Sequence, residues 1–176
     1  RERNLQNAKI GIVVDVWKHY PARAGNEEDE ASAVYNNEIT GYGMFLHPLF
    51  LGGYSGELQK YLKEQDMEPV TEEGDFEIMR RKVDFYGLNF YNGLYDNAEE
   101  LRAREKEEGG NYQDRPESHP EAIRDVLHML VEKYKVDVPI YITENGLPQD
   151  AGEGREKNLD DQERIDYVKD VLSALH

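Results

Sequence analysis

Thr143-Glu-Asn-Gly146 places one carboxylate, Glu144, directly after the apolar run Val138-Pro-Ile-Tyr-Ile-Thr143. A carboxylate at the end of a buried strand is suited to acid–base work or to nucleophilic attack. The tetrad also has a blander reading, because Asn-Gly is a preferred pair for a tight hairpin turn. A second apolar run, Val83 to Tyr91, carries Asn89 and Tyr91 two residues apart. On an extended chain that spacing turns both side chains to one face, near the strand's C-terminal end. An amide and a phenol facing a carboxylate would orient it and bind substrate hydroxyls. Alternatively Asn89 closes a turn and Tyr91 fills core with its hydroxyl satisfied.

The elements that must position these groups follow from the apolar pattern. Ile10-Gly-Ile-Val-Val-Asp-Val16 reads as a strand buried on both faces, after a segment to Asn7 that reads as a helix end. Ala31, Val34, Tyr35, Ile39 and Tyr42 recur at helical spacing, which predicts one amphipathic helix over 27–45. Short helices are expected over 55–64 and after Thr71, the expected N-cap. Strands are expected over 83–91 and 138–143, separated by a long polar loop over 92–117 and a helix from Ser118 to Lys135. Ser118 to Glu121 has the form of a capping box, and Ile123, Leu127, Leu130, Val131 and Tyr134 form the apolar face. Asp160 is expected to cap a last helix with Ile165, Val168, Leu172 and Leu175 as its buried stripe. Strands alternating with helices imply parallel β/α units, whose functional side chains gather at the C-terminal strand ends. That context raises the weight of Glu144.

Composition narrows the chemistry. The 176 residues carry 37 acidic and 21 basic side chains, a net charge of −16, which would repel nucleic acid. Cysteine is absent, so there is no disulfide, thiolate ligand or cysteine nucleophile. No apolar run reaches the roughly 20 residues of a membrane span, and the start lacks a secretory signal's apolar core. The expectation is a soluble, cytoplasmic, globular protein. Acidic runs at 27–30, 72–77, 99–108 and 150–163 are expected to be solvated faces or loops. The five histidines are scattered without metal-ligand spacing, and 150–156 lacks the regular spacing of a calcium loop. Neither a metal nor a cofactor is expected. Trp17, just past the first strand, either stacks on a sugar or packs between sheet and helices.

Tyr141-Ile-Thr-Glu-Asn-Gly146 with Asp84-Phe-Tyr-Gly-Leu-Asn-Phe-Tyr91 resembles family 1 of the glycoside hydrolases, the β-glucosidase family. Lys9-Ile-Gly-Ile12 with Tyr20-Pro21, Phe45 to Tyr54, and Arg164-Ile-Asp-Tyr167 match the family in order and approximate spacing. The resemblance covers essentially the whole chain. It implies a (β/α)8 barrel that cleaves β-glycosides with retention, through a covalent glycosyl-enzyme. The implied nucleophile is Glu144, Tyr91 is the phenol that hydrogen-bonds it, and Asn89 lies near the glycone subsite.

The departures from the family are equally specific. The sequence holds no Asn-Glu-Pro, the family's general acid/base motif, and no early glycone-binding Gln or His-Trp pair. His47 stands where the family usually has Asp. A complete barrel needs about 250 residues, so residues 1–176 are expected to be one segment of the catalytic domain, resembling units five to seven. The segment is expected to be inactive alone and to associate with the rest of the barrel or with itself, with a β-glycoside or oligosaccharide as substrate. The competing expectation is a non-catalytic barrel fragment or interaction module.

Overall fold

The computed structural model describes residues 7–106, 118–147 and 161–176. Strand β1 (Gly11–Asp15) leads into a short β2 (Lys18–Pro21) and helices α1 (Glu27–Val34), α2 (Gly43–Leu46), α3 (Gly56–Glu64) and α4 (Asp75–Met79). Then come β3 (Phe85–Asn89), β4 (Gly93–Asp96), α5 (Ala98–Lys106), α6 (Ala122–Glu132), β5 (Ile140–Glu144) and α7 (Gln162–Ala174). The three expected strands form one parallel sheet in the order β1-β3-β5. Each strand is separated from the next by helices, the connection that parallel pairing requires.

One face of this sheet is packed. Val14, Val16, Tyr86, Leu88 and Phe90 form a core with Tyr42, Leu46, four side chains of the α6 segment (Ile123, Val126, Leu130, Tyr134), and Tyr167 and Val171 of α7. The other face is open, with Val13 49% and Tyr141 57% exposed. The run Ile10–Val16, which reads as buried on both faces, is thus covered on one: no layer covers the second face among the described residues. Gly87 lies on that face, and a Cβ there would sit 2.7 Å from Val13 Cγ2 and 3.1 Å from Thr143 Cγ2. Its lack of a side chain lets the two neighbouring strands' side chains close over β3.

The predicted single helix over 27–45 is broken. α1 ends at Val34 and continues as a π-helical turn, Tyr35–Ile39. The wider turn shifts which residues face inward. Asn36 donates to Asp96 Oδ2 at 2.8 Å, and Asn37 brackets the His19 backbone with two 2.9 Å bonds. Glu38 meets His47 at 2.8 Å and Lys133 at 2.5 Å. Val34 and Tyr35, expected inside, are exposed. Asp29, expected on a solvated face, is fully buried against Arg23 at 2.8 and 2.9 Å, and it accepts from the Ala98 N–H at 2.9 Å. The Arg23 guanidinium beside it holds its carboxyl well below the usual carboxylate range.

The stretch 92–117, expected to be one polar loop, holds β4 and α5 as far as 106; residues 107–117 lie outside the described residues. β4 pairs in parallel with β2, Lys18 opposite Gly93 and Pro21 opposite Asp96. Four-residue strands leave too short a pattern to stand out from the polar sequence around them. α3 forms where expected and is capped by Ser55, whereas α4 begins after Gly74 rather than at Thr71. α6 begins at Ala122 with Glu121, not Ser118, at its N-cap and no side-chain cap bond, so the capping box does not form. Its inward stripe is Ile123, Val126, Leu130 and Tyr134, and Val131 is exposed. α7 is turned from its expected face: Tyr167 and Val171 are buried, while Ile165, Val168, Leu172 and Leu175 are exposed. Asp160, the helix end before Asn7 and the loop at 150–156 lie outside the described residues.

Candidate active site

The three parallel strands end level with one another. Asp15 pairs with Asn89, and Asn89 pairs with Glu144, so three polar side chains cross the sheet in a row. β5 is irregular at this point. Leu88 faces Ile142 but Asn89 faces Glu144, which makes Thr143 the extra residue of a bulge. A bulge breaks strict alternation and re-aims a side chain. Thr143 stays beside Asn89, donating its hydroxyl to Asn89 Oδ1 at 2.7 Å. The backbone beyond is held by bonds from the Val16 N–H to the Asn89 carbonyl and from the Phe90 N–H to the Glu144 carbonyl, each 3.0 Å.

The Tyr91 hydroxyl donates to Glu144 Oε2 in a short hydrogen bond. That bond, followed by partial desolvation, raises the Tyr91 phenol above its ordinary value. Tyr91 therefore stays a neutral donor throughout the neutral range. Its ring stacks on Trp17, with centroids 5.7 Å apart and planes 21° from parallel. Trp17 in turn donates its indole N–H to Asp15 Oδ2 at 2.8 Å. Of the two readings for Trp17, the structure gives a place at the strand ends on Tyr91, rather than between the layers. Among the described residues β5 pairs with β3 alone, in parallel, so the tetrad ends a strand of the parallel sheet.

Asn145, read from sequence as a turn former, donates to the Phe90 carbonyl and to the Tyr167 hydroxyl, both at 2.9 Å. Tyr167 donates to the Tyr91 carbonyl at 2.5 Å. Sequence reasoning thus brought Glu144, Tyr91 and Asn89 together correctly, and missed Asp15, Asn145 and Tyr167. The signals were present: a charge closing an apolar strand, and a tyrosine ending the Arg164–Tyr167 motif. Asp15 is two strands from Glu144, about 10 Å by strand spacing. The histidines do not cluster; His19 and His47 each pair with a carboxylate, at 2.8 Å. Among the described residues no group of three or more His, Asp or Glu side chains is arranged to hold a metal ion. No described helix is long and apolar enough to cross a membrane.

This geometry fits nucleophilic substitution at carbon. A carboxylate is exposed at the strand ends, one oxygen is fixed by a neutral phenol, and an aromatic surface lies beside it. Tyr91→Phe keeps the ring stack and removes the bond to Glu144. Any nucleophilic attack by Glu144 is expected to slow about 10- to 100-fold, the cost of a loosened reacting group. The thermal midpoint should shift by no more than a few degrees. Parallel losses in rate and midpoint would make Tyr91 a core residue instead.

The description "Glycosyl hydrolase family 1" belongs to the family model that matches residues 1–176. A 1,4-β-D-glucan glucohydrolase of Thermotoga neapolitana is 30% identical over 174 residues, 94% of this chain and 39% of that protein. A β-glucosidase A of Acetivibrio thermocellus is 29% identical over all of this chain and 40% of its own length. A 6-phospho-β-galactosidase of Clostridium acetobutylicum is 27% identical, with 96% and 41% covered. A β-glucosidase structure from Thermotoga maritima in complex with glucoimidazole superposes with a TM-score of 0.72 at 28% identity, covering 97% of this chain and 38% of that one. The chain thus spans less than half the length of these relatives, and the expectation of three β/α units from a (β/α)8 barrel holds.

Proposed function

Because the chain belongs to glycosyl hydrolase family 1, we propose that it carries the nucleophile half of a retaining β-glycosidase site. The observation that carries the reading is the hydrogen bond from Tyr91 to Glu144 at the bulged end of β5. Glu144 attacks the anomeric carbon, the bond to the aglycone oxygen breaks, and a glycosyl ester forms on the carboxylate. Tyr91 fixes the other carboxylate oxygen. Asn89, whose amide oxygen is taken by Thr143, offers its amide nitrogen to a glycone hydroxyl.

The general acid/base is contributed from outside these 176 residues. Barrel elements beyond this chain, or in their absence a second copy, cover the open face at Val13 and Tyr141. Glucose, galactose or a 6-phosphorylated glycone would all suit the groups described.

Leaving-group chemistry tests both halves of the proposal. 2,4-Dinitrophenolate departs without protonation, so 2,4-dinitrophenyl β-glucoside should give a burst of about one equivalent and then stall. Azide, a nucleophile that needs no base, should restore turnover and yield a β-glycosyl azide. Steady hydrolysis of an alkyl glucoside by the chain alone would place the acid/base within it. Absence of any burst from the folded chain would remove the nucleophile assignment.

A further inference from the structure

We propose that Tyr167 on α7, together with Asn145, is a positioning residue that sets Tyr91 against Glu144. The inference rests on the glycosidase reading for the role of Glu144, and on the structure for the clamp itself. The sheet ladder ends where the Phe90 N–H meets the Glu144 carbonyl. Tyr91 is two residues beyond β3, and no strand among the described residues pairs with its backbone. Its carbonyl takes the Tyr167 hydroxyl at 2.5 Å. The same hydroxyl accepts from Asn145 Nδ2 at 2.9 Å, and Asn145 also donates to the Phe90 carbonyl at 2.9 Å.

These contacts close a ring. Glu144 continues covalently into Asn145, Asn145 reaches Tyr167, Tyr167 reaches the Tyr91 backbone, and the Tyr91 side chain returns to Glu144. Each member of the ring is therefore fixed by two others. Without the Tyr167 hydroxyl, the stack on Trp17 and the bond to Glu144 remain on the Tyr91 side chain, but its carbonyl loses the bond that sets the backbone beneath the ring. The clamp also accounts for the face that α7 presents. Tyr167 is buried while Ile165, Val168 and Leu172, the stripe expected from periodicity, remain exposed. The helix is turned to bring a hydroxyl over the strand ends.

Tyr167→Phe removes the hydroxyl and keeps the packed ring, so it isolates the clamp. The measurement is the 13Cζ signal of Tyr91 in tyrosine-labelled 176-residue chain, assigned by its loss in Tyr91→Phe and followed with pH. The groups facing that phenol are Glu144 from β5, Asp15 from β1 and Tyr167 from α7. In the wild type the midpoint should lie above the ordinary phenol value of about 10. In Tyr167→Phe it should fall back toward that value, and adduct formation on Glu144 should slow about 10-fold or more. Should Tyr167→Phe fail to fold, Asn145→Ala carries the test, with a smaller shift in the same direction, since it removes the bond that orients the Tyr167 hydroxyl while leaving that ring in the core. An unchanged Tyr91 midpoint in a folded variant overturns the clamp, as does an ordinary midpoint in the wild type. A Tyr91 signal that responds to Tyr167→Phe, on a chain that never forms a glycosyl adduct, upholds the clamp and removes the glycosidase reading alone.

Discussion

Glu144→Gln should abolish the dinitrophenolate burst, with a loss on the order of 10⁴-fold or more in the rate of glycosyl transfer. The amide is close to the carboxylate in shape, and its oxygen still accepts the Tyr91 hydroxyl. What disappears is the proposed nucleophile. An amide oxygen carries no formal charge and forms no stable ester with the anomeric carbon. Because Glu144 is exposed at the strand end, the stability change should stay within about 0.5 kcal/mol, as for most surface substitutions. A burst of wild-type size from the glutamine variant would place the attack elsewhere.

Phe90→Ala should cost about 3–5 kcal/mol of unfolding free energy, measured in urea. Phe90, directly after β3, is fully buried on the packed side of the sheet and belongs to the largest side chains of the core. Domains of this size hold only about 5–15 kcal/mol in total. In a chain whose sheet is covered on one side, such a cavity brings the native state close to collapse. Its backbone matters too: the Phe90 N–H and carbonyl hold Glu144 and Asn145. A loss under about 1 kcal/mol would mean that α6 and α7 do not pack on β3 as described.

The two substitutions separate chemistry from scaffold, and the sequence was informative about each to a different degree. The β-branched and aromatic runs at Ile10–Val16, Val83–Tyr91 and Val138–Thr143 predicted all three sheet strands and, through their helical connections, the parallel order. Strand-end geometry then made Asn89, Tyr91 and Glu144 neighbours. The approach of Glu144 to Tyr91 depends on a bulge at Thr143, which no periodicity reveals.

Helix faces were less legible. Spacing selected Ile165, Val168 and Leu172 as the buried side of α7, but side-chain hydrogen bonds outweighed apolarity and turned Tyr167 inward. The helix over 27–45 was misread for a related reason. A π turn at Tyr35–Ile39 directs Asn36, Asn37 and Glu38 to polar partners, and a simple 3.6-residue period cannot describe it. Asp29 escaped notice because its partner Arg23 lies in the preceding connection and its other contact, the Ala98 N–H, is 69 residues away.

The central claim is that Glu144 is a positioned nucleophile, and intact-mass analysis after incubation with 2,4-dinitrophenyl 2-deoxy-2-fluoro-β-glucoside tests it most directly. The fluorine slows breakdown of the ester, and the leaving group needs no acid, so the adduct accumulates if attack occurs. The account predicts one added fluoroglucosyl group per chain, mapped to Glu144 and missing from Glu144→Gln. A folded chain that stays at its starting mass, or one that carries the group on another residue, would contradict it.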